Sequence, residues 1–458
     1  MSVGPTPSLN FIGDTVGDVA PHRMSDMYDI RFANGQSPAS GTIRLSDFRN
    51  QTLTTAFDEQ AKIQASDKQF FNYLGVSVAI SDDGNTAIAG AYGVGGTGAA
   101  YIFTRSGTTW TEQAKIHASD KQQNDYFGQT VAISDDGNTA IVGAPYEDPG
   151  DTTDAGAAYI FTRSNSNWTQ QQKIHASDKY GYDNFGVSVD ISSDGNTAIV
   201  GAQNQDQVGA AYIFTRSNSN WTQQQKIQAS DKQQYDRFGI SVAISDDGNT
   251  AIVGAAYEHA DTFISAGAAY IFTRSNSNWT QQQKIRASDK QQYDLFGYSV
   301  DISSDGNTAI VGTIGEDGNT DTVYDAGAAY IFTRSGTNWS EQQKIQASDK
   351  QNYDEFGFSV SISGDGNTAI VGAHGGDGDT GSMWEAGAAY IFTRSNSNWS
   401  QKEKIQASDK QESDRFGRSV AISKNGNTAI VGAYFEDTGA SNAGAVYVFE
   451  NDGYYIRR

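Results

Sequence analysis

One motif recurs seven times and restricts the fold more than anything else in the chain. Lys-Ile, one further residue and Ala-Ser-Asp-Lys begin at Lys62, Lys115, Lys173, Lys226, Lys284, Lys344 and Lys404, at spacings of 53, 58, 53, 58, 60 and 60 residues. A supersecondary unit repeated at such a period cannot bury its apolar face alone and must pack against its neighbours. Seven units of nearly sixty residues suit a closed propeller. A linear β-solenoid uses coils of only about 20–30 residues.

Each unit holds four strand-like runs, read here from the fourth. In "GISVAIS" Val242 and Ile244 alternate with the small residues Ser241, Ala243 and Ser245, the period of a strand. "TAIVGA" follows after only "DDGN", a turn in which Gly248 takes positive φ and Asp246 or Asn249 bonds the local backbone. "AGAAYIFTR" comes after a loop of changing length, and "WTQQQKI" after the polar turn "SNSN". The chain has 49 Gly and only 6 Pro, as many short strands with Gly-rich turns require. The expected fold is all-β: a seven-bladed β-propeller of four-stranded antiparallel blades with a short N-terminal arm. Closing the ring removes most exposed sheet edges.

Two segments compete to close that ring. "AFDEQAKI", residues 56–63, reads as a fourth strand without a blade, with Phe57 in the Trp slot; the tail "GYYIRR", residues 453–458, follows the last third strand. Residues 1–52 lack the repeat and hold four of the six prolines and three of the four methionines. They are read as an adaptor arm, and residues 53–458 as the propeller.

The formal charge is −22. That opposes a phosphate backbone, whose affinity rests on Lys and Arg displacing counterions, so nucleic acid is not an expected partner. Without cysteine there is no disulfide framework, thiolate metal site or Cys nucleophile. No run approaches the roughly 18 apolar residues of a membrane helix, and membrane insertion is not expected. Residues 1–20 show neither the basic nor the apolar region of a secretory signal, so export by that route is not expected either.

Phe-Gly opening a unit, then Val-Gly-Ala and Gly-Ala-Ala-Tyr-Ile-Phe, resembles the FG-GAP repeats of integrin alpha-chain propellers and, more closely, their bacterial relatives. The resemblance covers about residues 55–450 and implies a seven-bladed propeller. Many units of that family carry a calcium loop between the first two strands. Here the slot holds "SDDGNT", "SSDGNT", "SGDGNT" or "SKNGNT", too short to wrap a cation that takes six to eight oxygens, so the family's calcium sites are not carried over. Residues 37–52 and the stretch "PSLNFIGDTVGDVAPHRMSDMY" look like N-terminal segments of tailed-phage virion proteins, especially marine and cyanobacterial ones. That likeness implies a particle-borne protein whose arm meets other virion proteins.

Several motifs are read as structural. "GVGGTG", residues 93–98, matches a dinucleotide fingerprint but joins two strands, where no helix N-terminus can receive a pyrophosphate. Trp110, Trp168, Trp221, Trp279, Trp339 and Trp399 share one repeat slot and are read as packing. Asp231, Lys232 and Asp236, with their repeats, are read as ties within the connection between blades. His22, His117, His175, His259 and His374 form no ligand pattern, and no nucleophile elbow or triad stands out. No enzyme activity is expected.

The copies disagree between strands two and three. In an up-and-down blade those loops share a face with the "ASDKQQYD" connections, so one face is individual and the other uniform, and recognition sites usually sit on loops held by a rigid scaffold. Tyr146, Tyr257, Phe263, Tyr324, Trp384, Tyr434 and Phe435 are the candidate ligand-binding residues there, since aromatic rings beside acids suit sugars. Glu316, Asp317, Asp321, Asp377 and Asp379 are the places for a hard cation such as Ca2+, although they complete no family loop. The expected function is a non-enzymatic phage virion protein, a tail or capsid appendage, displaying the propeller to a host-surface glycan or protein. A bacterial surface or matrix adhesin is the alternative, with a polysaccharide-acting enzyme behind it.

Overall fold

The structure, a computed structural model, describes residues 31–32 and 53–456, apart from 151, 261, 318–322 and 378–382. Two compact units emerge: residues 59–449, and residues 1–58 with 450–458. In the second unit Arg31 and Phe32 pair in parallel with Tyr455 and Ile456. The first is a seven-bladed β-propeller of four-stranded antiparallel sheets.

Blade four represents the others. Its strands are Val242–Ile244, Thr250–Ala255, Ala268–Ser275 and Asn278–Ile285, paired in that order. Every residue of Thr250–Ala255 is buried, because both faces of a middle strand are covered by neighbouring blades; hence a continuous apolar run rather than alternation. The turn before it is held by side chains. Asp247 accepts from the Asn249 amide at 2.9 Å and from Ser245 Oγ at 2.7 Å, while Gly248 sits at φ 63°.

The repeated Phe-Gly and Gly-Ala now have a physical reason. A Cβ on Gly254 would lie 2.0 Å from the Gly297 carbonyl of the next blade, so glycine is required where the blades touch. The same close approach joins every successive pair, including Gly432 to Gly75, from blade seven back to blade one. Phe238 is buried edge-on against Tyr270 and Phe272, at 5.5 and 5.9 Å, a favourable aromatic arrangement. At the rim Trp279 Nε1 donates to Gln224 of the preceding blade at 2.9 Å, and Arg274 lies 5.6 Å over the indole.

The strand Leu53–Ile63 pairs with Ala445–Ile456 and so supplies the fourth strand of blade seven. The tail forms no separate rim strand; Ala445–Ile456 simply runs on. The closure is also polar. Glu59 accepts from the Ser408 amide at 2.8 Å, and Lys62 binds Asp409 and Glu436, both at 2.6 Å.

On the "DDGN" side the turns are linked by a series of backbone hydrogen bonds from Asp82 through Asp135, Ser193, Asp246, Ser304 and Gly364 to Lys424. Lys424, where other blades carry Asp, Ser or Gly, binds both Asp135 and Asp246. Near the axis, Asp190 and Asp301 occupy a first-strand slot that holds Ala79, Ala132, Ala243 and Ala421 in four other blades. Burial raises both carboxyls, Asp190 to about 7 with repulsion from Asp301 adding to it, and Asp301 to about 6. A carboxyl raised on folding favours the native state least when ionised. The contribution of these two groups to stability should therefore fall as pH rises from about 4 through 6–7. Asp190→Ala is expected to stabilise the protein more at pH 8 than at pH 4, by about 2–4 kcal/mol, checked by urea unfolding at both pH values.

Candidate functional site

The connections that enter each blade have an unusual backbone. In "KQQYDRFG" Asp236 is buried and accepts from the Gln233 amide at 2.6 Å, which curls the segment. The residues on either side, Tyr235 (φ 72°) and Arg237 (φ 55°), are thrown into the left-handed region. The left-handed pair occurs in all seven connections, and the curling carboxylate in six of them, Asn72 standing in its place in the first. The slot of Tyr235 is filled by Phe71, Asn124, Tyr182, Tyr293, Tyr353 and Ser413, and that of Arg237 by Tyr73, Tyr126, Asn184, Leu295, Glu355 and Arg415, every one at positive φ. Left-handed backbone costs an ordinary L-residue about 1–2 kcal/mol, and Asn tolerates it best. Yet five of these outer slots hold an aromatic ring, and all five rings are exposed, Tyr235 by 65%.

These slots also clasp the variable loops. The Tyr235 amide donates to Gln207 O at 2.6 Å, Tyr293 to Ile264 O at 2.9 Å, Tyr353 to Tyr324 O at 2.8 Å and Ser413 to Trp384 O at 2.8 Å. Phe71, Asn124 and Tyr182 do the same with Ser441, Gly96 and Thr153. Each exposed ring is thus fixed beside the individual loop of the preceding blade. One face carries rings and loops of varied chemistry; the other carries repeated polar turns.

The candidate aromatic residues divide into two groups. Tyr146, Tyr434 and Phe435 join an arc of packed rings: Tyr146 on Tyr126 (5.1 Å), Tyr126 on Tyr92 (5.2 Å), Tyr92 on Tyr73 (4.9 Å), Tyr73 near Tyr434 (6.2 Å), and Tyr434 on Phe435 (4.0 Å). Tyr434 is only 8% exposed, so its ring serves chiefly as packing. Tyr257 lies beneath the Arg237 guanidinium at 4.4 Å. Phe263, Tyr324 and Trp384 remain exposed, Trp384 by 68%. Arg418 stands over Phe358 (4.3 Å) and Tyr434 (5.5 Å). Phe358 also packs on His374, whose imidazole burial and nearby Arg418 push down to about 3.

The acids are mostly committed to structure. Lys284 binds Asp231 and Glu258, both at 2.7 Å, and Tyr270 OH donates to Asp231 at 3.0 Å. Asp231 therefore reaches across to these partners, while its neighbour Lys232 donates to Gln228. Glu316 occupies the place of Glu258: it is buried and held by Lys344 and Gln346. Asp317 accepts from the Asp325 amide at 3.0 Å and Asp377 from the Glu385 amide at 3.2 Å. Asp321 and Asp379 lie outside the described residues. Among the described residues no three His, Asp or Glu side chains are gathered as a metal would need. Burial raises the connection carboxyls, to about 6 at Asp125, Asp183, Asp354 and Asp414 and about 7 at Asp294. The glycine-rich 93–98 segment is a short 3-10 turn, Val94–Gly96, between two strands.

The seven aromatic candidates omit the five exposed rings on left-handed backbone, because the connection looks uniform in sequence. One clue was readable: the Tyr235 slot takes Asn in one copy and a bulky ring in five. An Asn there marks a left-handed site, and rings placed in it run against backbone preference.

No curated protein matches the chain. The family model of the FG-GAP repeat matches it at residues 57–103, 110–161, 168–214, 221–272, 279–332, 339–392 and 399–449. Each match begins on the fourth strand of one blade and runs through the first three strands of the next, and the seven together span most of the chain. Such a propeller is consistent with adhesion or binding. The chain belongs to the FG-GAP repeat family.

Proposed function

We propose that this protein is a non-enzymatic adhesion protein that binds a host-surface glycan or protein through the face built by its connections and variable loops. The observation that supports it best is the set of five exposed rings, Phe71, Tyr182, Tyr235, Tyr293 and Tyr353, held on left-handed backbone. Strain of that kind persists where the surrounding structure over-determines it, and it concentrates at ligand sites. Rings standing beside carboxylates and amides suit sugars, whose apolar faces stack while their hydroxyls bond to polar groups.

The setting we propose is a tailed-phage virion, with residues 1–52 docking the propeller to other virion proteins; it rests on the likeness of that segment to virion arms. Mass spectrometry of purified particles tests it. The chain should appear at a fixed ratio to the tail or capsid proteins and be missing from particles whose copy lacks residues 1–50. Absence of the intact chain from particles would remove the virion setting and leave a surface adhesin.

A further inference from the structure

Blade three differs from its neighbours on the loop face. Its variable loop is short and tightens into a 3-10 turn, Gln205–Gln207. A cleft of about 750 Å³ opens above it. Tyr180 and Tyr182, from the connection entering the blade, line the cleft together with Tyr235 and Arg237, from the connection leaving it; all three tyrosines are exposed.

Two polar features of the cleft are unsatisfied. The Gln203 Oε1 atom is buried and has no hydrogen-bond donor. Arg237 stacks one face on Tyr257 at 4.4 Å, and among the described residues no carboxylate stands within ion-pair distance of it. Arg415, in the same repeat slot of another blade, is paired with Glu385 at 2.6 Å. Two acids line the cleft, and both are engaged: Asp206 is taken by Lys226 at 3.0 Å, and the buried Asp183 accepts from the Tyr180 amide at 2.6 Å.

We propose that this cleft binds an acidic pyranose, a uronic or sialic acid residue of a surface polysaccharide. Its carboxylate meets the free edge of the Arg237 guanidinium, a planar bidentate match. Its ring lies against Tyr182 or Tyr235, and one hydroxyl donates to Gln203 Oε1. The inference rests on the adhesion reading above and narrows it to one cleft and one sugar chemistry.

Calorimetric titration of the full chain with trigalacturonate, sialyllactose and their carboxyl-reduced counterparts tests it. At least one acidic sugar should bind, and carboxyl reduction should weaken it tenfold or more. Arg237→Leu, a residue that Leu295 already supplies at this slot, should weaken the acidic sugar by a similar factor and leave the reduced one unchanged. Tyr235→Asn, the side chain that Asn124 supplies in another blade, should weaken both forms. An unchanged Tm in Arg237→Leu confirms that the fold is intact. Binding of only neutral or phosphate-bearing sugars, or acid binding indifferent to Arg237→Leu, overturns the inference while leaving the adhesion reading in place. That reading fails separately if no glycan or surface protein is bound at all.

Discussion

Replacing Tyr182, Tyr235, Tyr293 and Tyr353 together by asparagine should raise the stability of the protein and abolish its ligand binding. All four residues have φ between 65° and 72°. Asparagine tolerates that region better than tyrosine does, a gain of about 0.5–1 kcal/mol per site. The rings are more than half exposed, so little packing is lost. The sites lie in four different blades, and their effects should add to about 3 kcal/mol. On the order of 400 residues unfolding together, that corresponds to a Tm rise of about 3–4 °C by scanning calorimetry. A Tm that falls by several degrees would mean the rings are structural after all, and the argument from strain would be lost. The combination predicted, a more stable protein that no longer binds, is the trade expected where backbone strain serves a site.

The second large effect concerns ring closure. Removing residues 1–50 should leave a cooperatively unfolding propeller with Tm within about 2 °C, whereas removing residues 1–63 should abolish cooperative folding. The second truncation deletes the strand Leu53–Ile63 and exposes the edge of blade seven along Ala445–Ile456, a template for aggregation. It also strips Lys62 from Glu436, which is 1% exposed; a buried carboxylate left without its cation costs about 3–5 kcal/mol. Circular dichroism melts of the two proteins decide the matter. Equal behaviour of the two would show that residues 53–63 do not fasten the ring.

The fold was legible because its signals are local and repeated. Alternation in Val242–Ile244, the "DDGN" turn and the buried run Thr250–Ala255 each specify a strand or hairpin, and seven copies of them specify a ring. Why glycine recurs was not legible, since Gly254 meets Gly297 across a blade boundary that only three-dimensional packing reveals. The site was half legible. Disagreement between copies marked the face that carries the exposed Tyr324 and Trp384. Tyr434 and Phe435 look identical to them in sequence, yet they pack into an arc with Tyr73 and Tyr92. Glu316 looked like a cation ligand because its partner Lys344 is 28 residues away. The Tyr235 slot is masked in sequence by the recurring Asp236 beside it, although the carboxylate and the ring have separate roles: one curls the backbone, the other is presented to solvent.

The face assignment is tested most directly by an array of bacterial surface polysaccharides and surface proteins probed with three proteins. These are the native chain, the fourfold Tyr→Asn variant, and a turn-face variant with Asn165, Asn218, Asn276 and Asn396 changed to the glycine that Gly107 and Gly336 supply in other blades. The native chain and the turn-face variant should light the same spots, and the Tyr→Asn variant none. Retained binding by the Tyr→Asn variant, loss by the turn-face variant, or no spot bound by the native chain would contradict the account.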